Sequence, residues 1–573
     1  MTSHLEKIRH SAAHVLAQAV LKLYPDAKLG IGPTIEMGFY YDFDIDIKIT
    51  EKDLPKIEEE MHRICKEAQE FNHYTKTKEQ ALALTKHLNQ PYKQLLIEEL
   101  NLKEYSFYEN GPFVDLCKGP HIHNTKEIKH LKLLKVAGAY WRGSEKNTML
   151  QRIYGTAFEN KEELKKHLVN IEEAKKRDHR HLGKQLDLFS FNESIGSGLV
   201  LWHPKGTQLC ETIEQKWKED HKNEDYEFIK TPHVGKACLW ETSGHLDFYK
   251  ESMYGSSIIE EQEHYIKPMN CPFHIMIYKN KNHSYKELPV KYAELGTVYR
   301  NERSGVLHGL LRARGFTQDD AHIICRKTQI DIEIKKVLKL CLTTLNRYNF
   351  KNIEAFLSTK PSEKFVGKNN EWKEAENALK KALESEKVPY KVDKGGGAFY
   401  GPKIDLKIKD AIGRTWQCST IQFDFNLPTR FELTYINEKG IKETPYMIHR
   451  AIFGSVERFI GILIEHYNGE FPFWLAPIQV QILNISTDCI PYCKKIESIL
   501  KQHNIRVKTD LREEKISKKI KKAIEEKTPY MFIIGQNEVI NEKVTIRTKK
   551  EISEITSLKE FIKESKNFDK EKN

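Results

Sequence analysis

The chain of 573 residues is longer than one hydrophobic core usually supports, so several domains are expected. Hydrophobic residues make up 39% of the chain and charged residues 30%, and no long apolar run occurs, which excludes a membrane span. The net charge of +11 suits a polyanionic partner such as RNA, although a lysine-rich surface that only binds water has the same charge.

The N-terminal region predicts an amphipathic helix followed by strands. Apolar residues recur at helical spacing from Leu5 to Leu23, and Pro25 ends the helix. Strand-like segments over 38–43 and 133–143 complete an α+β unit, which we assign to residues 1–160. The N-terminus lacks the continuous apolar core of a secretion signal, so a cytoplasmic location is expected.

The pattern changes three times after this unit. A charged helix over about 161–186 is typical of a connector, and residues 161–182 are assigned to a helical linker. Residues 183–473 mix helices with alternating segments such as 415–426, which predict antiparallel strands. Over 474–573 the order strand, helix, strand, helix, strand predicts an α/β domain with a largely parallel sheet.

Two groups of side chains in the first unit have spacings that suit chemistry. His10 and His14 are four residues apart on the first helix, and we expect both to project away from the core that the apolar stripe joins. The segment DLCKGPH supplies Asp115, Cys117 and His121. Two surface histidines can simply face solvent, and an HxxxH pair can also form half of a metal site. HExxH metalloprotease chemistry is excluded because Ser11 follows the first histidine.

Guanidinium groups suited to bidentate phosphate contacts cluster around a glycine-containing turn within 299–322. The segment contains Arg300, Glu302, Arg312, Arg314 and Phe316. Arg458 lies in an otherwise almost wholly apolar helix, where an unpaired charge is costly, so it requires an anionic partner. Each arginine could instead form an internal ion pair with one of the 81 carboxylates.

The ten cysteines lack the paired spacings of a disulfide framework or a zinc ribbon, and most are expected to be buried apolar residues. Cys271, His322 and His449 are far apart along the chain. Their spacing is therefore compatible with a buried thiol and two hydrogen-bonded imidazoles as well as with a metal site.

These segments together resemble a known family. Arg300 and Glu302, the loop with Arg312 and Phe316, and the helix with Glu-Arg at 457–458 are similar to motifs 2 and 3 of class II aminoacyl-tRNA synthetases. Within that class, the runs KPMNCPFH, FTQDDAH and TPYMIHRAIFGS resemble threonyl-tRNA synthetases, and the resemblance covers nearly the whole chain. It implies a multidomain α+β protein: a class II antiparallel sheet with helices, an N-terminal α+β editing domain and a C-terminal α/β anticodon-binding domain.

By that resemblance the chain would activate threonine with ATP and Mg²⁺ and transfer it to tRNA(Thr). Arg300 would hold the α-phosphate and the substrate carboxylate, and Glu302 and Phe316 would seat the adenine. Arg312 and Arg458 would grip the outer phosphates. Gln417 would complete the ATP site. The residues implied in catalysis are Arg300, Arg458, His245, Gln318 and Lys403, with His245 near the terminal ribose of the tRNA.

The resemblance also implies that Cys271, His322 and His449 bind one zinc ion, whose open position would take the amino and hydroxyl groups of threonine. Asp320 would accept the hydrogen bond of the substrate hydroxyl. The other pocket residues would be Met269, Gln318, Tyr400, Lys403, Gln417, Gln422 and Ser455. The chain departs from the family pattern at Phe273, Arg303 and Ser419, and Phe273 is the largest change.

Serine differs from threonine by one methyl group, a difference worth roughly 10- to 200-fold in discrimination, so this chemistry requires a second, hydrolytic site. HSAAH, DLCKGPH and GAYWRG resemble the editing domain of bacterial-type threonyl-tRNA synthetases and, more loosely, alanyl-tRNA editing proteins. The implied residues for water positioning and proton transfer are His10, His14, Lys93, Asp115, Cys117 and His121. The alanyl-type relatives bind zinc with this quartet, whereas the threonyl resemblance implies a metal-free site, and the sequence is compatible with both.

The C-terminal region resembles the anticodon-binding domain of several class II synthetases. By position, Lys515, Glu538 and Arg547 would contact anticodon bases, although Glu513 replaces a family Asn and the basic helix could be a solvated face. Pro232 occupies the place of the motif 1 proline at a homodimer interface. The small ubiquitin-like domain that commonly precedes the editing domain is missing, and we expect its absence to be natural because the chain starts with Met1.

Two other interpretations share parts of this pattern. An RNA-binding regulator with a decayed catalytic centre would keep the fold, but it should lack Arg300 or Arg458. A prolyl or seryl synthetase would share the class motifs but not the set Cys271, His322 and His449 joined to an editing domain. Threonine is therefore the preferred substrate.

Overall fold

The computed structural model describes residues 3–363, 365–549 and 552–568. The chain divides into two compact units, Met1–Glu172 and Glu173–Asn573. Among the described residues, no helix combines the length and the apolar character that crossing a membrane requires.

The first unit is an α+β structure, as the sequence predicts. Its helices are α1 His4–Leu23, α2 Leu54–Lys66, α3 Lys78–His87, α4 Pro91–Glu99 and α5 Lys161–Arg177, the last of which ends beyond the unit. Its strands are β1 Lys28–Leu29, β2 Thr34–Ile35, β3 Gly38–Asp44, β4 Phe71–Lys76, β5 Tyr105–Asn110, β6 Phe113–Leu116, β7 His130–Tyr140 and β8 Met149–Phe158. A five-stranded sheet has the order β1-β3-β8-β7 with β2 beside β3, and a three-stranded sheet has the order β4-β5-β6.

Helix α1 begins with a capping box. The Ser3 hydroxyl accepts a hydrogen bond from the Glu6 amide, and the Glu6 carboxylate accepts one from the Ser3 amide, which satisfies two backbone donors that the first turn leaves free. The apolar stripe, which includes Ile8, Val15 and Leu16, packs in the core of the unit as predicted.

The other side of α1 departs from the prediction. His14 is only 1% exposed, so the expectation that it projects away from the core is wrong. Its ring packs against Phe113 and Phe71, with ring centroids 5.6 and 6.2 Å apart. These rings belong to β6 and β4, which cover the face of the helix that its sequence pattern assigns to solvent.

The second unit carries the remaining elements. Its helices are α6 His179–Gln185, α7 Pro204–Asn223, α8 Ala237–Ser243, α9 His245–Phe248, α10 Cys271–Lys279, α11 Ile330–Arg347, α12 Asn369–Ser385, α13 Leu427–Arg430, α14 Val456–His466, α15 Ile490–Gln502, α16 Ile516–Glu525, α17 Gln536–Ile540 and α18 Leu558–Phe568. The shorter strands are β9 Phe189–Ser190, β10 Leu201–Trp202, β12 Val234–Lys236, β13 Ser257–Ile259, β14 Gln262–Ile266, β15 His283–Ser284, β22 Tyr435–Ile436 and β23 Lys442–Glu443.

An eight-stranded sheet forms the centre of this unit. Its strands are β11 Glu227–Phe228, β16 Val290–Tyr299, β17 Gly315–Cys325, β18 Ile353–Ser358, β19 Tyr390–Asp393, β20 Lys403–Lys409, β21 Thr415–Asp424 and β24 Tyr446–Ala451. They follow the order β11-β16-β17-β24-β21-β20-β18-β19. The pairs β11/β16 and β18/β19 at the two edges are parallel, and the pairs between them are antiparallel, as predicted for 183–473.

The register of this sheet aligns polar residues from distant parts of the chain. His322 of β17 pairs with His449 of β24, which pairs with Gln422 of β21, which pairs with Lys403 of β20. Directly paired residues point to the same face of a sheet, so these side chains form one row across four strands.

The C-terminal sheet is less parallel than predicted. Its strands are β25 Val480–Asn484, β26 Val507–Asp510, β27 Tyr530–Ile534, β28 Lys543–Arg547 and β29 Ile552–Ser557, in the order β26-β25-β27-β28-β29. Strand β25 is parallel to β26 and β27, as expected from the helices between them. Strands β28 and β29 are antiparallel additions, because the links that precede them are too short for a crossover helix that spans the sheet.

The predicted charged helix over 161–186 is interrupted. Helix α5 ends at Arg177, and α6 begins at His179. Asp178 between them is the N-cap of α6, with a ψ of 121° and a side chain that accepts from the Arg180 amide. The cysteines follow expectation, since all except Cys117 and the exposed Cys238 are buried.

Candidate functional sites

A cavity of about 430 Å³ lies beside the row of polar residues on the central sheet. Every predicted ATP, threonine and metal residue lines it: Met269, Cys271, Arg300, Glu302, Arg312, Phe316, Gln318, Asp320, His322, Tyr400, Lys403, Gln417, Gln422, His449, Ser455 and Arg458. The sequence patterns did not single out Tyr249, Thr420 or Arg450, which line it too. Tyr249 lies in the ETSGHLDFYK run that supplied His245, so proximity to that histidine was the one available signal.

Two of the arginines enter the cavity without an internal carboxylate partner. Among the described residues, neither Arg300 nor Arg458 forms an ion pair, so the internal-pair alternative is excluded for them within this part of the chain. Arg300 Nε donates to the Pro268 carbonyl at 3.3 Å and its guanidinium lies 5.1 Å from the ring centre of Phe316. Arg458 Nε donates to the Leu311 carbonyl at 3.0 Å.

Electrostatics at this end of the cavity favour an anion. Burial lowers the pKa of the Arg458 guanidinium, and Arg300 and Arg312 push it in the same direction. Arg312 forms an ion pair with Glu302 at 2.9 Å. Arg314 does not line the cavity and instead donates to the Glu302 carbonyl at 2.9 Å. A polyphosphate would neutralise the positive charge of the half-buried Arg300 and Arg458, for which the described residues provide no ion pair.

Cys271, His322 and His449 meet at the other end of the cavity. All three are buried, and one donor atom from each lies within 4.8 Å of the others. Cys271 is the first residue of α10, where the helix dipole favours a thiolate, while burial raises the pKa of the thiol. The nitrogens His322 Nε2 and His449 Nδ1 face each other at 3.0 Å.

The partners of these two rings determine where their protons lie. His449 Nε2 is 2.7 Å from Asp424 Oδ2, so this nitrogen donates and the Nδ1 atom keeps a lone pair. His274 Nε2 is 3.1 Å from Glu294 Oε2, so His274 donates there and accepts from His322 through the 2.8 Å contact between their Nδ1 atoms. His322 Nε2 therefore keeps a lone pair as well.

Two lone pairs that face each other at 3.0 Å repel unless a proton or a metal cation lies between them. A thiol and two imidazoles fixed by outer carboxylates are also the donor set that zinc prefers. Burial raises the pKa of Glu294, but hydrogen bonds from His274 and the Thr231 amide outweigh it and lower the pKa overall. The residues present therefore fit a zinc ion.

The side chains between the two ends form a hydrogen-bonded wall. Asn270 donates to Asp320 at 3.1 Å, and the Tyr400 hydroxyl donates to Gln422 at 2.8 Å. Lys403 and Gln417 both donate to Asp405, at 2.5 and 2.7 Å. The Ser455 hydroxyl accepts from the Arg458 amide and caps α14.

His245 lies just outside the cavity. Its Nε2 atom is 2.9 Å from the sulfur of Met269, and burial lowers its pKa to about 3. Phe273, the largest departure from the family pattern, packs with Trp240 in a separate apolar cluster. The third departure, Ser419, donates to the Ile452 carbonyl at 2.7 Å.

A second cluster lies in the first unit. Cys117 Sγ is 3.3 Å from His10 Nε2 and 3.4 Å from His121 Nε2, and the donor atoms of these three residues and His14 all lie within 4.8 Å of one another. Burial lowers the pKa of all three imidazoles and raises the pKa of Cys117 to about 12. At neutral pH the four side chains are therefore uncharged.

A buried ion pair borders this cluster. Lys93 Nζ is 2.7 Å from Asp115 Oδ1, and both side chains are 4% exposed. The hydroxyl of Tyr41 donates to the other oxygen of Asp115, and His14 Nε2 is 3.9 Å from it. Ser11, 3.0 Å from His121 Nδ1, and Tyr41 were not predicted, because nothing in their sequence context distinguishes them from ordinary helix and strand residues.

The three predicted anticodon residues are dispersed. Lys515 is the N-cap of α16, and Arg547 ends β28. Glu538 accepts from the Gly535 amide at 2.8 Å and from the Thr545 hydroxyl at 2.7 Å. No hydrogen bond or ion pair within the described residues joins Lys515 to the other two.

Three family models match the chain. The "tRNA synthetase class II core domain (G, H, P, S and T)" matches residues 254–467, and the "Anticodon binding domain" matches 479–567. The "Threonyl and Alanyl tRNA synthetase second additional domain" matches 105–154, which contains Asp115, Cys117 and His121.

Full-length relatives agree with these matches. The threonine–tRNA ligase of Sulfurihydrogenibium sp. is 53% identical over 569 residues, covering 98% of this chain and 88% of the relative. That of Borrelia hermsii is 53% identical and covers 96% of this chain and 94% of its own. A crystal structure of the RNA binding domain of threonyl-tRNA synthetase from Cryptosporidium parvum is 40% identical with a TM-score of 0.66, covering 68% of this chain and 98% of that one.

The Lys93–Asp115 pair yields a stability prediction. Asp115→Ala leaves the buried ammonium of Lys93 without its counter-charge, so the free energy of unfolding should fall by about 3 to 5 kcal/mol. Hydrogen exchange of the α1 amides in the full chain measures this.

Glu60→Ala is the matched control, because it removes the carboxylate of a more exposed pair with Lys22 and should cost less than about 1 kcal/mol. A similarly small effect of Asp115→Ala would contradict the prediction. The double change Asp115→Leu with Lys93→Met should recover much of the loss, because no charge then remains buried.

Proposed function

This chain belongs to the threonine–tRNA ligase family, and from that premise we propose that its central cavity selects threonine through a zinc ion held by Cys271, His322 and His449. The enzyme activates threonine with ATP, accompanied by Mg²⁺, and joins it to tRNA. The facing lone pairs of His322 and His449, oriented by Asp424 and Glu294, are the observation that carries the zinc proposal. When bound, zinc supplies a Lewis-acid position for the amino and hydroxyl groups of the substrate.

The residues of the chain orient the reactants. Arg300 and Arg458 hold the phosphates of ATP, since neither guanidinium group forms an ion pair with a carboxylate of the described residues. The threonine carboxylate attacks the α-phosphorus, the bond to the bridging oxygen breaks, and pyrophosphate leaves with the electron pair. Because both arginines are fixed by backbone carbonyls before ATP binds, little reorganisation is needed when charge develops.

The side of the cavity near the two histidines recognises the amino acid. Asp320, oriented by Asn270, accepts a hydrogen bond from the substrate hydroxyl. Tyr400, Gln422, Met269, Gln318, Ser455 and Lys403 surround the substrate, and Glu302, Phe316, Arg312 and Gln417 surround the nucleotide. His245 assists transfer to the terminal ribose from its position behind Met269.

We further propose that the first unit edits seryl-tRNA(Thr), with which its match to the second additional domain is consistent. The imidazoles of His10, His14 and His121 are uncharged, so one of them can take a proton from the attacking water as the water oxygen forms a bond to the ester carbonyl carbon. That proton then passes to the ribose oxygen as its bond to the carbonyl carbon breaks. Cys117 and the pair Lys93–Asp115 hold the rings in place. The donor atoms of His10, His14, Cys117 and His121 could also hold a metal ion, since they lie within 4.8 Å of one another, and the proposal assigns one zinc per subunit, at Cys271, His322 and His449.

The remaining assignments extend the proposal to the whole chain. Residues 1–160 form the editing domain, 161–182 the linker, 183–473 the catalytic domain and 474–573 the anticodon-binding domain. Lys515, Glu538 and Arg547 contact the anticodon of tRNA(Thr). The enzyme acts in the cytoplasm as a homodimer, with Pro232 at the interface.

Threonine-dependent pyrophosphate exchange tests the zinc proposal. Removal of zinc by a chelator, with Mg²⁺ restored, should abolish exchange, and zinc should restore it. Valine lacks the hydroxyl and should be disfavoured by roughly 10⁴, whereas serine should be disfavoured by only about 10- to 200-fold.

Metal content provides the control. The parent and Cys117→Ser should each contain one zinc per chain, and Cys271→Ser should contain none. Full exchange in a zinc-free preparation would rule out the selector role.

Deacylation of seryl-tRNA(Thr) tests the editing proposal. His121→Ala should lower the hydrolysis rate by about 10²- to 10⁴-fold, because it removes a group that positions water and takes up its proton. Threonine-dependent exchange should be unaffected, since the second unit carries the whole exchange site. Normal deacylation by His121→Ala would show that hydrolysis occurs elsewhere.

A further inference from the structure

A buried histidine from the connector contacts the loop that precedes the phosphate-site residue Arg312. His179, the first residue of α6, has no exposed surface. Glu465 of α14 accepts hydrogen bonds from its backbone amide at 3.0 Å and from its Nδ1 atom at 2.7 Å. On the other side of the ring, the Leu310 amide donates to Nε2 at 3.0 Å. The ring therefore carries its proton on Nδ1 and accepts with Nε2.

The carboxylates around His179 do not form a metal site, although Asp178, His179 and Glu465 offer three donor atoms within 4.8 Å. Arg414 pairs with the second oxygen of Glu465 at 2.5 Å, and Arg180 pairs with Asp178 at 2.6 Å. Both ring nitrogens of His179 are occupied as well. The cluster is a network of hydrogen bonds and ion pairs that ends on the Leu310 amide.

The turn that His179 holds also contacts the phosphate site directly. Gly309–Leu311 is a single 3₁₀ turn, and its Leu311 carbonyl accepts from Arg458 Nε at 3.0 Å. Helix α14 thus holds the turn at two points, directly through Arg458 and indirectly from Glu465 through His179. Gly309 has a φ of +53°, and a Cβ atom there would lie 2.2 Å from His179 Nε2, so the turn and the ring are in close contact.

We propose that His179 is a positioning residue for ATP, which keeps the turn Gly309–Leu311 in place so that Arg312 and Arg458 converge on the outer phosphates. This inference rests on the proposed function, in which those two arginines bind the phosphates. Without an acceptor at Nε2, the buried Leu310 amide must move to find another partner. Such a movement draws the Leu311 carbonyl away from Arg458 and shifts Arg312, while the threonine end of the cavity is untouched.

Two substitutions separate the two hydrogen bonds of the ring. His179→Asn places an amide nitrogen near the position of Nδ1, so it keeps the bond to Glu465 and loses the acceptor for Leu310. His179→Gln places an amide oxygen near the position of Nε2 and keeps that acceptor. In pyrophosphate exchange, His179→Asn should raise the KM for ATP by about tenfold, with the KM for threonine within about twofold of the parent. His179→Gln should restore the KM for ATP.

Gly309→Ala alters the same contact between His179 and the turn Gly309–Leu311, but by a change in the turn. Its methyl group would press on His179 Nε2 in a backbone conformation that L-residues rarely adopt, so the KM for ATP should rise here too. This second variant tests the inference even if His179→Asn does not fold. His203→Asn is the matched control, because His203 also pairs through Nδ1 with a carboxylate, Asp187 at 2.6 Å, but its Nε2 atom contacts the Ser190 hydroxyl at 2.9 Å and not the turn Gly309–Leu311.

A substitution at Arg458 distinguishes a failure of this inference from a failure of the proposed function. Arg458→Lys should raise the KM for ATP if that arginine binds phosphate. If Arg458→Lys does so while His179→Asn and Gly309→Ala do not, the inference is overturned and the proposed function stands. An equal rise in the KM values for ATP and threonine in His179→Asn would also overturn it, since that indicates general damage. No effect of Arg458→Lys on ATP would overturn the phosphate site itself.

Discussion

The pairing of His322 with His449 across β17 and β24 is the constraint on which the central site depends. This register brings together residues that are 127 positions apart and, through Gln422 and Lys403, extends the row over four strands. A shift of one residue in either strand would turn its side chains to the opposite face of the sheet. Asp424 and the pair His274–Glu294 then fix which nitrogens keep their lone pairs. The proposed zinc site thus depends on sheet register and on two buried carboxylates, Asp424 and Glu294.

Charged side chains that are wholly or partly buried fall into two groups, those that pair with another side chain and those that line the proposed phosphate site. Lys93 with Asp115, and Lys291 with Glu333, are buried charges that the fold neutralises internally. Arg300 and Arg458 are half-buried, and within the described part of the chain their guanidinium groups contact backbone carbonyls and, for Arg300, aromatic rings. A folded protein retains such uncompensated charge where a ligand supplies the counter-charge, because the cost of burial is then recovered on binding.

The proposed sites in the two units respond to two different features of the amino acid, its hydroxyl group and its methyl group. An amino acid that lacks the hydroxyl leaves a polar contact in the site unmade and therefore binds more weakly. The wall formed by Asp320 and the paired histidines is suited to that distinction. A single methyl group offers only a small difference in packing. In the first unit, uncharged imidazoles, of which that of His14 is buried, surround Cys117, an environment suited to the proposed hydrolysis of the product that the first selection lets through.

The sequence alone was sufficient to predict the features that depend on local periodicity or on short sequence motifs. The helix from Leu5 to Leu23, the antiparallel strand around 415–426, most of the polar residues that line the central cavity and the family itself follow from it. Contacts between distant elements required the tertiary structure. Helical spacing located His14 on α1 but could not reveal that Phe71 and Phe113 cover it, and a charged connector gave no sign that His179 reaches the turn at Leu310. Spacing along a chain determines which face of its own element a residue occupies, whereas what lies against that face depends on how separate elements pack.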